Sequence, residues 1–77
     1  MLRVYVAADC PASALAHKLI KRVHQHHPHL PMEVIDISNT GHDVPIEVFA
    51  TPTYTWNGQI IFLGNPSETE LVTRIRR

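Results

Sequence analysis

Apolar and polar positions along the first half of the chain predict a strand, a helix and a second strand. Leu2 to Ala8 and Met32 to Ile37 are short runs rich in Val, Ile or Tyr, as expected of strands. Between them, apolar residues recur at helical spacing, which predicts an amphipathic helix from Pro11 to near Pro28. Its predicted buried stripe comprises Leu15, Ala16, Leu19, Ile20 and Val23. Two strands joined through one helix form a parallel, right-handed βαβ unit.

A turn signal in the second half of the chain predicts a β-hairpin. Asn57-Gly58 stands between two further strand-like runs, Thr53 to Trp56 and Gln59 to Leu63. A two-residue type I′ turn needs a positive φ at both central residues, and Asn-Gly accepts this conformation readily. In the register that such a turn sets, Tyr54 lies opposite Ile61 across the antiparallel pair.

The last segment contains two alternative start signals for a final helix. In one, Asn65 is the N-cap and Pro66 takes the first helical position; in the other, Ser67 is the N-cap and Glu70 completes a capping box. The apolar residues that we expect this helix to bury are Leu71, Val72 and Ile75. Residues 44–50, earlier in the chain, are long enough for only a short helix or turn.

The order of these elements, β-α-β-(short α)-β-β-α, predicts one α/β domain over residues 1–77, with a mixed four-stranded sheet flanked by helices. The composition, 44% hydrophobic and 18% charged, is ordinary for a globular protein. Because the formal net charge is zero, no electrostatic attraction favours nucleic acid or a membrane, and we expect neither as partner. The first apolar run is too short for a signal peptide or a membrane span.

Cys10 is the only cysteine of the chain and the first candidate for chemistry. Because a single cysteine cannot form an internal disulfide, a reducing compartment fits best, and we expect the cytoplasm. Cys10 lies in Asp9-Cys10-Pro11-Ala12-Ser13, between the first predicted strand and the first predicted helix. Free backbone N–H groups and a partial positive charge at a helix start stabilise a thiolate and lower the pKa of a thiol. Cys10 is therefore a candidate nucleophile.

Cys10-Pro11-Ala12-Ser13 at the start of the first helix, together with Ala50-Thr51-Pro52-Thr53 before the third strand, resembles the thioredoxin superfamily over essentially the whole chain. The chain has the length of the small, glutaredoxin-sized members. The resemblance implies a thioredoxin-like fold with a cis peptide bond at Pro52, whose loop lies against Cys10. It also implies that Pro11, Thr51 and Pro52 bind substrate, with the Thr51 backbone pairing with an extended substrate as an added strand does.

The resemblance further implies thiol-disulfide exchange, here with one thiol. In dithiol members a second cysteine, three residues after the first, resolves the mixed disulfide, whereas this chain has Ser13 at that position. Cys10 is then the nucleophile, and Ser13 donates a hydrogen bond to its thiolate. The implied partner is a disulfide-bearing protein or a low-molecular-weight thiol, with glutathione as a candidate co-substrate and no other cofactor. Gly64-Asn65-Pro66-Ser67 departs from the glycine pair and acidic residue with which glutaredoxins hold glutathione.

A second, narrower resemblance is to the KaiB clock-protein family, a thioredoxin-like group that binds partner proteins and is not a redox enzyme. It is carried by Tyr5-Val6-Ala7, Pro11, Ser13, Val34-Ile35-Asp36, Ala50-Thr51-Pro52-Thr53 and Gly64 through Ser67. That family typically has no cysteine at the position of Cys10, and here the chain departs from it. The alternative function is therefore a non-enzymatic protein-binding module in which Cys10 is incidental.

Histidines cluster around the predicted end of the first helix. Four of the six in the chain lie there, namely His24, His26, His27 and His29. Neighbouring side chains on a helix point in different directions, although His24 and His27, three residues apart, share a face. A metal site needs converging ligands with supporting hydrogen bonds, so we predict a solvated helix end and no metal site.

Overall fold

The computed structural model describes residues 1–38 and 51–76, which contain a four-stranded sheet and two helices. The elements are β1 (Leu2–Val6), α1 (Pro11–His26), β2 (Met32–Asp36), β3 (Thr53–Trp56), β4 (Gln59–Leu63) and α2 (Glu68–Ile75). The predicted α/β class and mixed sheet are confirmed at this level. The short helix expected within 44–50 lies outside the described residues.

The sheet has the strand order β2-β1-β3-β4, with β1 in its interior. β1 and β2 are parallel and pair Val4 with Val34, as the predicted βαβ unit requires. On the other side of β1, the antiparallel strand β3 places Tyr54 opposite Val4. Four of the five residues of β1 are buried, and only Arg3 is exposed.

The hairpin forms as predicted, and its register departs from the expected one only at the third residue pair from the turn. Asn57 and Gly58 have φ values of 50° and 85°, the positive angles that a type I′ turn needs. Tyr54 lies opposite Phe62 and not Ile61, because the register shifts between Tyr54 and Thr55. The expected Tyr54–Ile61 pair is therefore wrong. Ile61 is an extra residue in β4 with no partner opposite it in β3, the arrangement found in a β-bulge.

Helix α1 packs its buried face against the sheet, and this face is not quite the predicted stripe. Leu15 is 57% exposed, so its assignment to the stripe is wrong. Each residue of an α-helix turns by about 100°, and the step from Ala16 back to Leu15 moves the side chain off the buried face. Ser13, three residues before Ala16, is 2% exposed and occupies that face instead. The buried residues of α1 are Ser13, Ala16, Leu19, Ile20 and Val23.

The start of α2 distinguishes between the two predicted caps. The Ser67 hydroxyl accepts a hydrogen bond from the Glu70 backbone N–H at 3.1 Å, and the Glu70 carboxylate accepts one from the Ser67 N–H at 3.0 Å. These two bonds form the capping box, so Ser67 is the N-cap. They also lower the pKa of Glu70, with the Ser67 backbone N–H as the main cause and the Ser67 hydroxyl as the second. Asn65 therefore does not cap α2, and its side chain forms hydrogen bonds elsewhere.

The hydrophobic core lies between the sheet and the two helices. Leu71 of α2 is fully buried, and Val72 and Ile75 pack against the core while remaining partly exposed, as predicted for this helix. The core residues are Leu2, Val4, Val6, Ala16, Leu19, Ile20, Val23, Tyr54 and Leu71. Neither helix described here has the length and apolar character needed to cross a bilayer.

Candidate functional site

Cys10 lies at the N-terminus of α1, immediately before its first helical residue. Its backbone is extended, with φ −99° and ψ 115°, and Pro11 begins the helix. The Cys10 N–H donates to the Ala7 carbonyl at 3.3 Å, which closes the turn between β1 and α1. The Cys10 side chain is partly exposed and is a free thiol. The predicted position at a helix start is confirmed, and the thiol is accessible to a reactant.

The structure brings Cys10 together with Thr51, 41 residues further along the chain. The Cys10 thiol donates to the Thr51 carbonyl oxygen, with Sγ and O 3.7 Å apart. The Thr51–Pro52 peptide bond is cis, the form that the thioredoxin resemblance implies. The Pro52 carbonyl accepts a hydrogen bond from the Gly64 N–H at 2.8 Å, which ties this turn to the end of β4. The start of α1 therefore contacts the segment just before β3. This contact brings together four predicted site residues, Cys10, Pro11, Thr51 and Pro52.

Ser13 lies beneath Cys10 in the first turn of α1 and has a role that the sequence analysis did not foresee. Its hydroxyl accepts a hydrogen bond from the Ala7 N–H at 3.0 Å, and its own N–H donates to the Cys10 carbonyl at 3.0 Å. Both bonds hold the turn between β1 and α1. A hydroxyl that accepts one hydrogen bond still has its own proton to donate. The Ser13 hydroxyl is therefore able to accept from Ala7 and to donate to the Cys10 sulfur at the same time.

The hydrogen bonds around the sulfur favour its charged form. The pKa of Cys10 is lowered from its ordinary value, first by a hydrogen bond from the Thr51 side chain, then by the Ser13 hydroxyl and by the Ser13 and Ala12 backbone N–H groups, while burial opposes the shift. The Thr51 carbonyl acts in the other direction, since it accepts only from the thiol. The net effect is a lowered pKa, which favours the thiolate.

Asn65 joins the first turn of α1 to the centre of the sheet. Its side-chain oxygen accepts a hydrogen bond from the Tyr54 hydroxyl at 2.8 Å, and its side-chain nitrogen donates to the Ala12 carbonyl at 2.9 Å. The sequence analysis considered Asn65 as a helix cap and as part of the segment Gly64 to Ser67, and it missed this bridge. The available signal was Tyr54, because a tyrosine buried in a central strand needs a partner for its hydroxyl. The bridge fixes the backbone two residues after Cys10.

Two of the histidines at the end of α1 far from Cys10, His26 and His27, contact α2 and its C-cap residue. His26 Nδ1 lies 2.6 Å from a Glu68 carboxylate oxygen, and the Arg76 guanidinium lies 3.5 Å from His27 Nδ1. No group of three or more side chains able to hold a metal ion occurs within residues 1–38 and 51–76. Since α1 has 16 residues, this end lies about 24 Å from Cys10 along the helix.

Comparison with known proteins found no match, so the function has to be inferred from the residues of this site. No protein-family model matches this chain, and no curated protein or solved structure matches it. The site itself contains an accessible thiol at a helix start, donors that favour its thiolate, and a backbone carbonyl beside the sulfur. Such an arrangement is suited to attack by sulfur on an electrophile that approaches along the Thr51–Pro52 backbone.

Proposed function

We propose that this protein carries out monothiol thiol-disulfide exchange on a thioredoxin-like fold, with Cys10 as the nucleophile. The observation that carries the proposal is the contact of the Cys10 sulfur with Thr51 at 3.7 Å, at the N-terminus of α1. The lowered pKa of Cys10 supports it, because the thiolate and not the thiol attacks a disulfide. The mixed sheet order β2-β1-β3-β4 and the helix that joins β1 to β2 support the thioredoxin-like fold in coarse terms.

The proposed reaction has two exchange steps. In the first, the Cys10 thiolate attacks one sulfur of a substrate disulfide; that bond breaks, a mixed disulfide with Cys10 forms, and the released thiolate takes up a proton. In the second, the thiolate of a second thiol attacks the mixed disulfide and releases Cys10. The second thiol must come from outside, because Cys10 is the only cysteine. The two steps conserve electrons, since one disulfide is consumed and one is made.

In this proposal Thr51 and Pro52 position the substrate beside the sulfur. The substrate is a disulfide-bearing protein or a small disulfide, and glutathione or another low-molecular-weight thiol resolves the intermediate. Pro11 forms the exposed side of the site next to Cys10. Ser13 donates to the thiolate while holding the turn below it. A reducing compartment, the cytoplasm, supplies the resolving thiol.

The experiment that tests the proposal follows formation of the mixed disulfide. The purified chain is mixed with a glutathionylated peptide, and the adduct is measured by intact-protein mass spectrometry, with release of the adduct after addition of free glutathione. We expect the wild-type chain to form and release the adduct. Cys10→Ser should form none. If Cys10→Ser catalyses exchange as fast as the wild type, or the wild-type thiol reacts no faster than that of a short unfolded peptide, the proposal is wrong.

A second candidate function is the non-enzymatic protein-binding module, and the exposure of Leu15 favours it. Leu15 is 57% exposed and lies four residues after Pro11, on the same face of α1 as this exposed proline. An exposed leucine next to an exposed proline is suited to contact with a protein surface. In this case a partner isolated by affinity capture binds Cys10→Ser as well as the wild type, whereas Leu15→Lys abolishes the interaction. Under the exchange proposal, capture depends on Cys10 and is reversed by a reductant.

A further inference from the structure

A cavity of about 370 Å³ lies at the end of α1 opposite Cys10. It is formed where the loop after α1 meets the C-terminal half of α2. Its walls include His27, Pro28, Leu30, Val72, Ile75 and Arg76. This volume falls within the range of protein sites that hold small molecules, near its lower end. A ligand that fills it must therefore be small.

The floor of the cavity is apolar. Leu30, Val72 and Ile75 each pack against the hydrophobic core on one side and line the cavity on the other. All three are only partly buried, so apolar surface remains exposed to water inside a concave space. Covering that surface with an apolar group is favourable because it removes the surface from water.

The rim of the cavity carries a cation that lacks a strong partner. The Arg76 guanidinium has five N–H donors, and among the described residues its side-chain contact is a long one, 3.5 Å, to His27 Nδ1. Arginine only donates, so His27 Nδ1 can take part in this contact only as an acceptor. No carboxylate of residues 1–38 or 51–76 lies within 4.0 Å of Arg76. The nearby Glu68 is engaged by His26 at 2.6 Å and by Arg22 at 4.0 Å.

Both helices end beside the cavity, and their terminal carbonyls favour positive charge there. Two of these carbonyls already accept hydrogen bonds: Val23 from the His27 N–H at 2.8 Å, and Val72 from the Arg76 N–H at 3.0 Å. The carbonyls that have no hydrogen-bond partner within a helix carry only partial negative charges. Arg76 carries a full positive charge on a planar guanidinium, a group that binds a carboxylate through two parallel hydrogen bonds. A bound anion therefore gains more from Arg76 than it loses to the helix ends.

We propose that this cavity binds a small carboxylate with an apolar body. The carboxylate pairs with the Arg76 guanidinium in place of the weak His27 contact, and the apolar body covers Leu30, Val72 and Ile75. The site is independent of Cys10, because it lies at the other end of α1 and uses none of the residues around the thiol.

The experiment titrates the full chain with 3-phenylpropionate and follows the backbone amides by two-dimensional NMR. Two matched probes have the same ring and chain length with a different head group: the neutral 3-phenylpropanamide and the cationic 3-phenylpropylamine. We expect saturable shifts from the carboxylate at the amides of Leu30, Val72, Ile75 and Arg76, with much weaker effects from the other two probes.

Two arginine variants separate the site from general surface charge. Arg76→Gln removes the cation from the cavity and should weaken carboxylate binding by about tenfold or more, as expected when a charge-assisted pair is lost. Arg74→Gln removes the same charge from α2 at a residue that does not line this cavity, and it should leave binding unchanged. Binding of the amide or the amine as tight as that of the carboxylate, equal weakening by both variants, shifts confined to other surfaces, or no saturable shift at all would each overturn the proposal.

Discussion

The hydroxyl of Tyr54 donates a hydrogen bond to the side-chain oxygen of Asn65 at 2.8 Å, and through this bond the centre of the sheet is linked to the turn that carries Cys10. The link passes from β3 through Asn65 to the Ala12 carbonyl. It places a buried polar group and the start of α1 in one network. Loss of either member should therefore affect both the stability of the fold and the environment of the thiol.

Tyr54→Phe should lower the free energy of unfolding by about 0.5–1.5 kcal/mol, the usual net value of one hydrogen bond. Asn65→Ala should lower it further, because it removes two bonds. Urea unfolding followed by circular dichroism measures both. Tyr5→Phe is a matched control, since Tyr5 is also buried and its hydroxyl has no hydrogen bond among the described residues. A control variant that is destabilised as much as Tyr54→Phe contradicts the assigned role of the Tyr54–Asn65 bond.

The stability of the wild type should also fall at high pH because of Tyr54. Burial raises the pKa of Tyr54 to about 12, whereas an exposed tyrosine in the unfolded chain titrates near 10. As the pH rises, Tyr54 therefore loses its proton in the unfolded chain first. The stabilisation that is present below about pH 10 is lost as the pH rises toward about 12. The stability difference between wild type and Tyr54→Phe should shrink over this window in urea titrations. A constant difference across it would show that Tyr54 ionises equally in both states.

Removal of the donors to Cys10 should raise the pKa of its thiol. Thr51→Val removes the largest contribution and Ser13→Ala the second, so both variants should react more slowly with iodoacetamide at neutral pH and shift the midpoint of the rate profile upward. The measurement is the alkylation rate between about pH 4 and pH 10, which spans the range of protein thiols. Thr69→Val, at an exposed position of α2, is the control. If Thr51→Val and the control give the same midpoint, Thr51 does not donate to the sulfur.

The same shift predicts how Cys10 contributes to stability. Its pKa is lower in the folded than in the unfolded chain, so the contribution is fully present above the unfolded value of about 8.5 and is lost as pH falls through the folded value. The unfolding free energy of the wild type should therefore increase, relative to that of Cys10→Ser, as pH rises toward this limit. Urea titrations at several pH values check the sign of the trend. A decrease with rising pH would mean that the fold favours the neutral thiol.

Two leucines of α1 provide a test of which helix face is buried. Leu19 is 6% exposed and Leu15 is 57% exposed. Leu19→Ala should lower the free energy of unfolding by about 2–5 kcal/mol, as expected for a buried leucine, whereas Leu15→Ala should change it by less than about 0.5 kcal/mol. Thermal or urea unfolding of the two variants gives the comparison directly. Similar losses in both would place Leu15 in the core and reverse the correction to the predicted stripe.

The capping box of α2 should make the stability of this helix depend on pH. Ser67→Ala removes the cap and should cost about 0.5–2 kcal/mol. The pKa of Glu70 is lowered in the folded chain, so its contribution is present above its unfolded value of about 4.3 and is lost as pH falls through the folded value. Urea unfolding at neutral pH and at successively lower pH values should show that the effect of Glu70→Gln shrinks as the pH falls. A persistent effect would mean that the carboxylate charge is not what stabilises the cap.

The sequence by itself determined the features that depend on neighbouring residues. The hairpin turn at Asn57-Gly58, the start of α1 at Pro11 and the cap of α2 each follow from backbone preferences within a few positions. The strands and helices themselves were readable from apolar spacing, and the parallel βαβ unit followed from their order. For α2 the local signal left two caps open, and only the capping box in the folded chain distinguished Ser67 from Asn65.

Only the tertiary structure decided the contacts between distant segments. Helical spacing limits the buried arc of α1 to one side, but the sheet against which it packs determines that Ser13 is buried and Leu15 exposed. In the same way, the register shift at Tyr54 depends on how β4 fits beside β3. The 3.7 Å contact between Cys10 and Thr51 joins residues 41 positions apart. Local preferences act over a few residues, whereas these contacts result from packing across the whole core, and the chemistry of Cys10 depends on them.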